Sequence, residues 1–365
     1  MRRYLQYIIS SVSVLSLLFV TTSCEHKDLC YHHPHGVKLK VEFDWEKAPD
    51  AFAKGMCIYF YPEDGGSYRR FDFSNMQGGY IELTAGTYNV ICYNNDTDGV
   101  LFSGISKYHN QYLYTRNGNL FEPVFGSAAS STPRADGTED ERVVITPDMM
   151  WGCAVTKVYV AETGVSYTHE TITGDMDSPQ LKVENTKEDI ILTFYPEELL
   201  CHYTYEIKNI ENIEEIDELC GSLSSMSGGM KIYNGELSRE CVTLPFSAKI
   251  NIEENIITGE FYTFGHHEEN MQPHRMILYA WMKDGNKYYY GGSPTEEKKA
   301  KESEFGNENE DEDKFNVTDQ IHNAPDKRHV HIIIDGVSFP ERIHNGSGYQ
   351  PSVDDWTNEY HDIYM

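Results

Sequence analysis

With 15 histidines, 8 cysteines and 58 acidic residues, this 365-residue chain has ample material for metal binding or acid–base chemistry. The densest grouping is His266-His267-Glu268-Glu269, followed by His274. Imidazole and carboxylate both ligate zinc, but a site needs them at a fixed spacing. Here apolar runs flank the cluster, so a polar hairpin loop is the favoured reading. His32, His33 and His35 have no second ligand set beside them and read as part of a solvated tether. Gly221-Ser-Leu-Ser-Ser-Met-Ser-Gly-Gly229 supplies serines without the G-x-S-x-G elbow of a hydrolase. It reads as a flexible or turn segment. No H-E-x-x-H zinc motif and no Walker glycine loop occur. Acids are everywhere, and the separation that would define a glycosidase pair is not a property of sequence. The expectation is a protein that is not an enzyme, with no catalytic residue, no metal and no cofactor.

One cysteine has a context of its own. Arg2 and Arg3 precede a mostly apolar run from Leu5 to Val20, then Thr21-Thr22-Ser23-Cys24. A basic start, an apolar core and small residues before a cut site make a secretory signal. The run is short for a membrane span, which takes about 20 apolar residues. Cys24 resembles the cysteine of a bacterial lipobox, which becomes the acylated N-terminus. Thr21 stands where that pattern has Leu, and Leu17 to Val20 bring the apolar approach one position early. Ordinary secretion with an incidental cysteine is the alternative. With acylation, palmitate-like chains tie a folded body to a membrane, at about 0.8 kcal/mol per buried methylene. Losing Arg2 and Arg3 takes the net charge from -28 to -30. Such a surface repels nucleic acid and anionic headgroups, so lipid rather than a basic patch has to hold it.

About 340 residues follow the cut, enough for two domains at roughly 100–200 residues each. Seven cysteines remain: Cys30, Cys57, Cys92, Cys153, Cys201, Cys220 and Cys241. The odd number leaves at least one unpaired. Cys57, Cys92 and Cys153 lie in apolar runs, where a free thiol packs as a small hydrophobe. Pairing of Cys201 with Cys220, or Cys220 with Cys241, stays open.

The elements that would position these groups are strands. After a tether at 24–36, Val37, Leu39, Val41, Phe43 and Trp45 alternate with charged residues, the period of a half-buried strand. Further strands are expected at 55–61, 68–73, 80–83, 87–93 and 143–146, with edge strands at 112–114 and 120–125. Residues 126–141 read as an exposed, nickable loop around Arg134. The second half repeats the pattern at 153–160, 190–195, 203–210, 242–252, 256–264, 276–282, 287–290, 315–321 and 330–335. Hairpin turns are expected at 253–255 and 284–286. Only Ile210 to Cys220 has helical spacing, through Ile210, Ile213, Ile216 and Leu219. Residues 294–314 are a charge-dense insertion, and a tail at 341–365 carries Tyr349, Trp356, Tyr360 and Tyr364. The fold expected is all-β, with few short helices. Its division is a signal at 1–23, a tether at 24–36, sandwiches at 37–150 and 151–340, and a tail.

Leu83-Thr84-Ala85-Gly86-Thr87-Tyr88-Asn89-Val90 resembles the L-x-x-G-x-Y-x-V hairpin of transthyretin-like sandwiches. With Cys24, the bridge Thr146-Pro147-Asp148-Met149-Met150-Trp151-Gly152, and the closing runs Phe315–Ile321 and Val330–Gly336, the chain resembles the fimbrillin-like lipoproteins of the Bacteroidetes. That family includes stalk subunits, the anchor and accessory subunits that hold them, and a domain family of unknown function. Glu25 and Asp28 resemble the acidic export signal of its surface lipoproteins. The resemblance implies two tandem transthyretin-like sandwiches, outward on the outer membrane, in a fimbrium or in cell adhesion. Stalk subunits of that family lose a first strand by cleavage after arginine. Here no Arg lies between Cys24 and Arg69, and cutting at Arg69 or Arg70 would remove two strands. An anchor or accessory subunit binding fimbrial or other surface proteins by β-strand addition is therefore expected. A surface glycan-binding module, suggested by the 26 tyrosines, is the alternative.

Overall fold

The computed structural model describes residues 36–125, 134–135, 137–167, 180–291 and 314–341. Its first strand, β1 (Gly36–Phe43), turns Val37, Leu39, Val41 and Phe43 inward, as the period of two requires. Then come β2 (Met56–Pro62), β3 (Arg69–Phe73), β4 (Gly78–Thr84) and β5 (Gly86–Asn94). The chain next makes an excursion through β6 (Val100–Ser103), β7 (Tyr112–Thr115), a short α1 (Glu122–Phe125) and β8 (Arg142–Val143). It returns as β9 (Trp151–Ala161), β10 (Gly164–Tyr167), β11 (Leu181–Asn185), β12 (Ile190–Phe194) and β13 (Glu197–Glu198).

These strands make one sandwich. One sheet has the order β11-β12-β1-β4, and the other β10-β9-β5-β2-β3 with β13 against β9. Leu39, Val41, Leu192 and Phe194 from the first meet Ile58, Phe60, Val90 and Val158 from the second in one core. Strand β2 is buried over both faces from Met56 to Tyr61. A small sheet of Gly229–Lys231, β7 and β6 supplies the extra cover, where Tyr93 stacks on Phe102 at 4.8 Å.

The second sandwich starts at β14 (Cys201–Glu211) and β15 (Ile216–Ser227), followed by β16 (Gly229–Lys231), β17 (Cys241–Ser247) and β18 (Lys249–Asn251). Then come β19 (Ile256–Thr263), β20 (Met276–Met282), β21 (Lys287–Tyr290), a short α2 (Thr318–His322) and β22 (His329–Ser338). Its sheets run β18-β19-β14-β22 and β21-β20-β15-β17-β8. Tyr203, Tyr205, Phe261 and Ile332 pack there against Leu223, Phe246 and Leu278. The outer face of β15 and β20 is covered in turn by Leu120, Phe121, Val124 and Ala135 from the excursion.

The all-β class expected from sequence is the class observed, and several details are corrected. The division at 150 and 151 falls inside one sheet, because β9 pairs with β5 and β12 pairs with β1. The first sandwich is discontinuous: residues 95–150 leave its two sheets, give β8 to the second sandwich, and come back. Ile210 to Cys220 is not a helix. β14 runs to Glu211, a single 3-10 turn spans Ile213–Glu215, and β15 follows, because core burial of Ile213, Ile216 and Leu219 outweighs their helical spacing. The serine-rich stretch is the buried end of β15 and the start of β16, not a flexible turn. Conversely, 122–125 and 318–322 are short helices where strands were expected. The Leu83 to Val90 motif is no hairpin. β4 and β5 lie in different sheets, and the Tyr88 hydroxyl donates to the Thr84 carbonyl at 2.9 Å to close the corner between them. Arg134 is not an open loop residue either: it donates to the Glu139 and Glu141 carbonyls and to Thr243 Oγ1.

Candidate functional site

Cys24, His32, His33, His35, most of the charge-dense insertion and the aromatic tail fall outside the described residues. What the structure does place is the first strand that follows the tether. β1 sits between two partners, parallel to β12 through Lys40–Phe43 and antiparallel to β4 through Gly36–Glu42. Gly78 lets β4 come that close: its φ is +96°, and a Cβ there would stand 2.2 Å from the Val41 carbonyl oxygen. Leu39 and Val41 are fully buried. Arg69 and Arg70 lie on β3, the edge of the facing sheet, and Arg70 is held by Asp72 at 2.7 Å. A cut there would sever β1 and β2 from the chain beyond it.

Strand edges are where another chain could add, since they carry unpaired amides and carbonyls. Two edges are guarded by side-chain amides at bonding distance. Asn185 Oδ1 accepts from Val165 N, and its Nδ2 donates to Val165 O, both at 2.9 Å, sealing β10 against β11. Gln320 of α2 does the same to Ile333 in β22, at 2.8 and 2.9 Å. β22 runs parallel to β14 on one side only. The His202 amide donates to the Arg328 carbonyl, so alternate residues from Arg328 turn their backbone toward β14. His329, His331 and Ile333 therefore turn theirs outward. Nothing local in the sequence marks Asn185 or Gln320, because each contact depends on how two distant elements meet.

α2 is itself held by histidines. His266 and His274, from the loop between β19 and β20, meet His322 at the end of α2, with ring centroids 4.7 to 5.3 Å apart. His274 Nδ1 lies 3.3 Å from the Ser224 carbonyl, which can only accept, so Nδ1 carries the proton. Nε2 of His274 is then an acceptor, and His322 Nε2, 3.1 Å away, donates to it. Burial pushes His274 down to about 4, helped by His266 and His322. Burial also pushes His266 down to about 4, with His322 and Lys327 adding to it. Both rings are neutral at pH 7. The His274 amide donates to Thr318 Oγ1, and the Val317 amide to the His274 carbonyl, which completes the clasp on α2. Sequence found two of the three rings; His322 is 48 residues beyond His274 and nothing pointed to it. His267 and Glu269 lie apart from the clasp: the Glu269 amide donates to His267 Nδ1, and the Glu269 carboxylate pairs with Arg239.

Among the described residues, no three His, Cys, Asp or Glu side chains converge so as to hold a metal ion. Two open recesses stand out. One of about 470 Å³ is lined by Lys40, Trp45, Gln77 and Thr193. One of about 360 Å³ is lined by Arg116, Glu122, Pro245 and Glu260, and its Glu122 is already paired with Arg116. No helix among the described residues is long and apolar enough to cross a membrane.

A family model described as Domain of unknown function (DUF5119) matches residues 23–247. A curated Bacteroides ovatus protein named "Putative fimbrium anchoring subunit Fim4B" is 24% identical over 266 residues, which is 72% of this chain and 67% of that one. Among solved structures, a "putative adhesin" from Bacteroides ovatus aligns at TM-score 0.47 and 19% identity, covering 74% of this chain and 86% of that chain. The fimbrial anchor protein Mfa2 from Porphyromonas gingivalis aligns at TM-score 0.41 and 13% identity, covering 82% and 91%.

Proposed function

This chain belongs to the family described as Domain of unknown function (DUF5119), and from that premise we propose that it is a non-enzymatic fimbrial anchoring or accessory subunit, or an adhesion subunit, at the outer membrane. Lipid on Cys24 fixes it there, with both sandwiches, transthyretin-like in form, facing outward. The name of the relative from Bacteroides ovatus supports the same role. The observation that carries the reading is the position of β1. A subunit that takes a neighbour's strand into its first sandwich must lack one there, and this chain fills that place with its own.

Contact with a partner subunit then falls to an outer edge. β22 suits it: ten residues long, alternately buried, and bonded on one side to β14. An added strand would gain affinity from backbone bonds and selectivity from alternate side chains. Gln320 has to release Ile333 first. The test places a photocrosslinking residue at position 333, where the side chain is exposed, in cells carrying the full chain. The reading expects an adduct with another surface subunit, lost in His331→Pro, which removes an outward amide. Adducts that form equally from Tyr159, on the far sandwich, would contradict it. Glycan binding has less behind it, because Tyr59, Tyr61, Tyr93, Tyr203 and Tyr205 are core residues and unable to stack on a sugar.

A further inference from the structure

Cys92 on β5 and Cys153 on β9 are direct partners across the antiparallel pair. Their sulfurs lie 3.3 Å apart, and both side chains are buried, at 0% and 4% exposure. Cross-strand neighbours have Cα atoms about 4.5–5.5 Å apart, inside the 4.4–6.8 Å range that a disulfide spans. No other cysteine pair among the described residues is placed this way. Cys57 donates to the Tyr93 carbonyl and Cys220 to the Leu120 carbonyl. Cys220 stands opposite Ser247 while Cys241 stands opposite Ser227, at the far ends of β15 and β17, about 20 Å apart at strand rise. That excludes the Cys220–Cys241 pairing left open by sequence.

We infer that Cys92 and Cys153 are the site of a structural disulfide that fastens the discontinuous first sandwich at the point where its chain departs and returns. Cys92 lies two residues before the end of β5, and Cys153 two residues after the first residue of β9. The bond would close the whole 95–150 excursion, with β6, β7, α1 and β8, into a covalent ring. It would hold together the two strands that this excursion pulls apart in the sequence. The oxidant is a small or protein-borne disulfide. One thiolate attacks it, giving a mixed disulfide and one free thiol. The second cysteine displaces the remaining thiol. Two S–H bonds are lost, one S–S bond forms within the protein, and two electrons and two protons end on the oxidant. Burial raises the Cys92 thiol well above its ordinary range. The exchange therefore belongs to the folding reaction, before β5 and β9 are covered, and the finished bond resists reduction. This inference stands on the sheet register and is independent of the proposed function.

The test refolds the chain from Cys24 onward in a glutathione redox buffer, quenches it in acid, and alkylates it in denaturant without reductant. Peptide mass spectrometry should find Cys92 joined to Cys153, two hydrogens lighter than the reduced pair, with Cys57 and Cys220 alkylated. Reductant should lower Tm by about 5–10 °C, the size expected for a loop of this length. The drop should persist in Cys57→Ser and vanish in the double variant Cys92→Ala with Cys153→Ala. Alkylation of both Cys92 and Cys153 in the wild-type chain, or linkage of either to another cysteine, would overturn the inference, and needs no variant to fold.

Discussion

Strand β1 enters the first sandwich between β12 and β4, whereas β22 enters the second along one side of β14. Each lies parallel to one neighbour, β1 to β12 and β22 to β14, and both bring a row of buried apolar residues. The difference is what each removal would do. Taking away β1 splits a four-stranded sheet into two pieces, and β4 loses its one ladder partner among the described residues. Taking away β22 leaves β18, β19 and β14 still paired. The chain thus begins its described part with a strand that cannot be exchanged without losing the sandwich, and ends it with one that lies at an edge. On the proposed function, that asymmetry separates the half that must stay closed from the half that would accept a partner.

The sharpest way to break the comparison is proline. Val41→Pro removes a ladder bond and crowds a central strand, and should cost about 3 kcal/mol or more, enough to leave the first sandwich unfolded by near-UV circular dichroism. His331→Pro sits where the amide faces away from β14 and should cost under about 1 kcal/mol in urea melts. Equal losses at the two positions would erase the distinction. Next in size is core truncation. Phe194→Ala in the first sandwich and Phe246→Ala in the second should each lose about 3–5 kcal/mol, since both rings are buried. Hydrogen exchange should show each loss confined to its own sandwich.

Acid acts on the second half through its clasp. His266 and His274 titrate near 4 when folded, against 6.5 for the free side chain. Between those values the unfolded chain binds more protons than the folded one. Stability is therefore full above about pH 6.5, falls as pH drops through that window, and the whole contribution is gone below 4. The loss over the two rings should be on the order of several kcal/mol, with faster exchange at the Ile333 amide as α2 loosens. His274→Gln should flatten the dependence in urea melts run at pH 7.5 and 4.5. A further small effect belongs to Gln320→Ala, about 1 kcal/mol for the two bonds to an exposed edge, read as lost protection at Ile333 alone.

The regular strands were legible because burial on one face leaves a period of two, as in β1, or a solid apolar run, as in β2 and β20. The turns at 253–255 and 284–286 were legible because Asn and Gly carry local conformational information. The path of the chain was not. Nothing between Asn94 and Trp151 says that the segment crosses to a second sandwich and comes back, since β8 is two residues long and its partner lies about 100 residues ahead. The serines of β15 looked like a flexible stretch because their burial depends on a third layer, α1 and Ala135, whose place the sequence does not reveal. The guarding amides and the third histidine were hidden for the same reason. His266 and His274 were visible as neighbours in sequence, and what they do was decided by His322 and the Ser224 carbonyl.

The central claim is that the first sandwich keeps its own strand in the finished protein and is held by lipid at its start. Intact-mass and N-terminal analysis of the protein extracted from outer membranes tests it directly. The account predicts a chain that begins at an acylated Cys24 and runs unbroken through β1 and Arg70. An N-terminus beyond Phe43, or an unmodified thiol at Cys24, would contradict it.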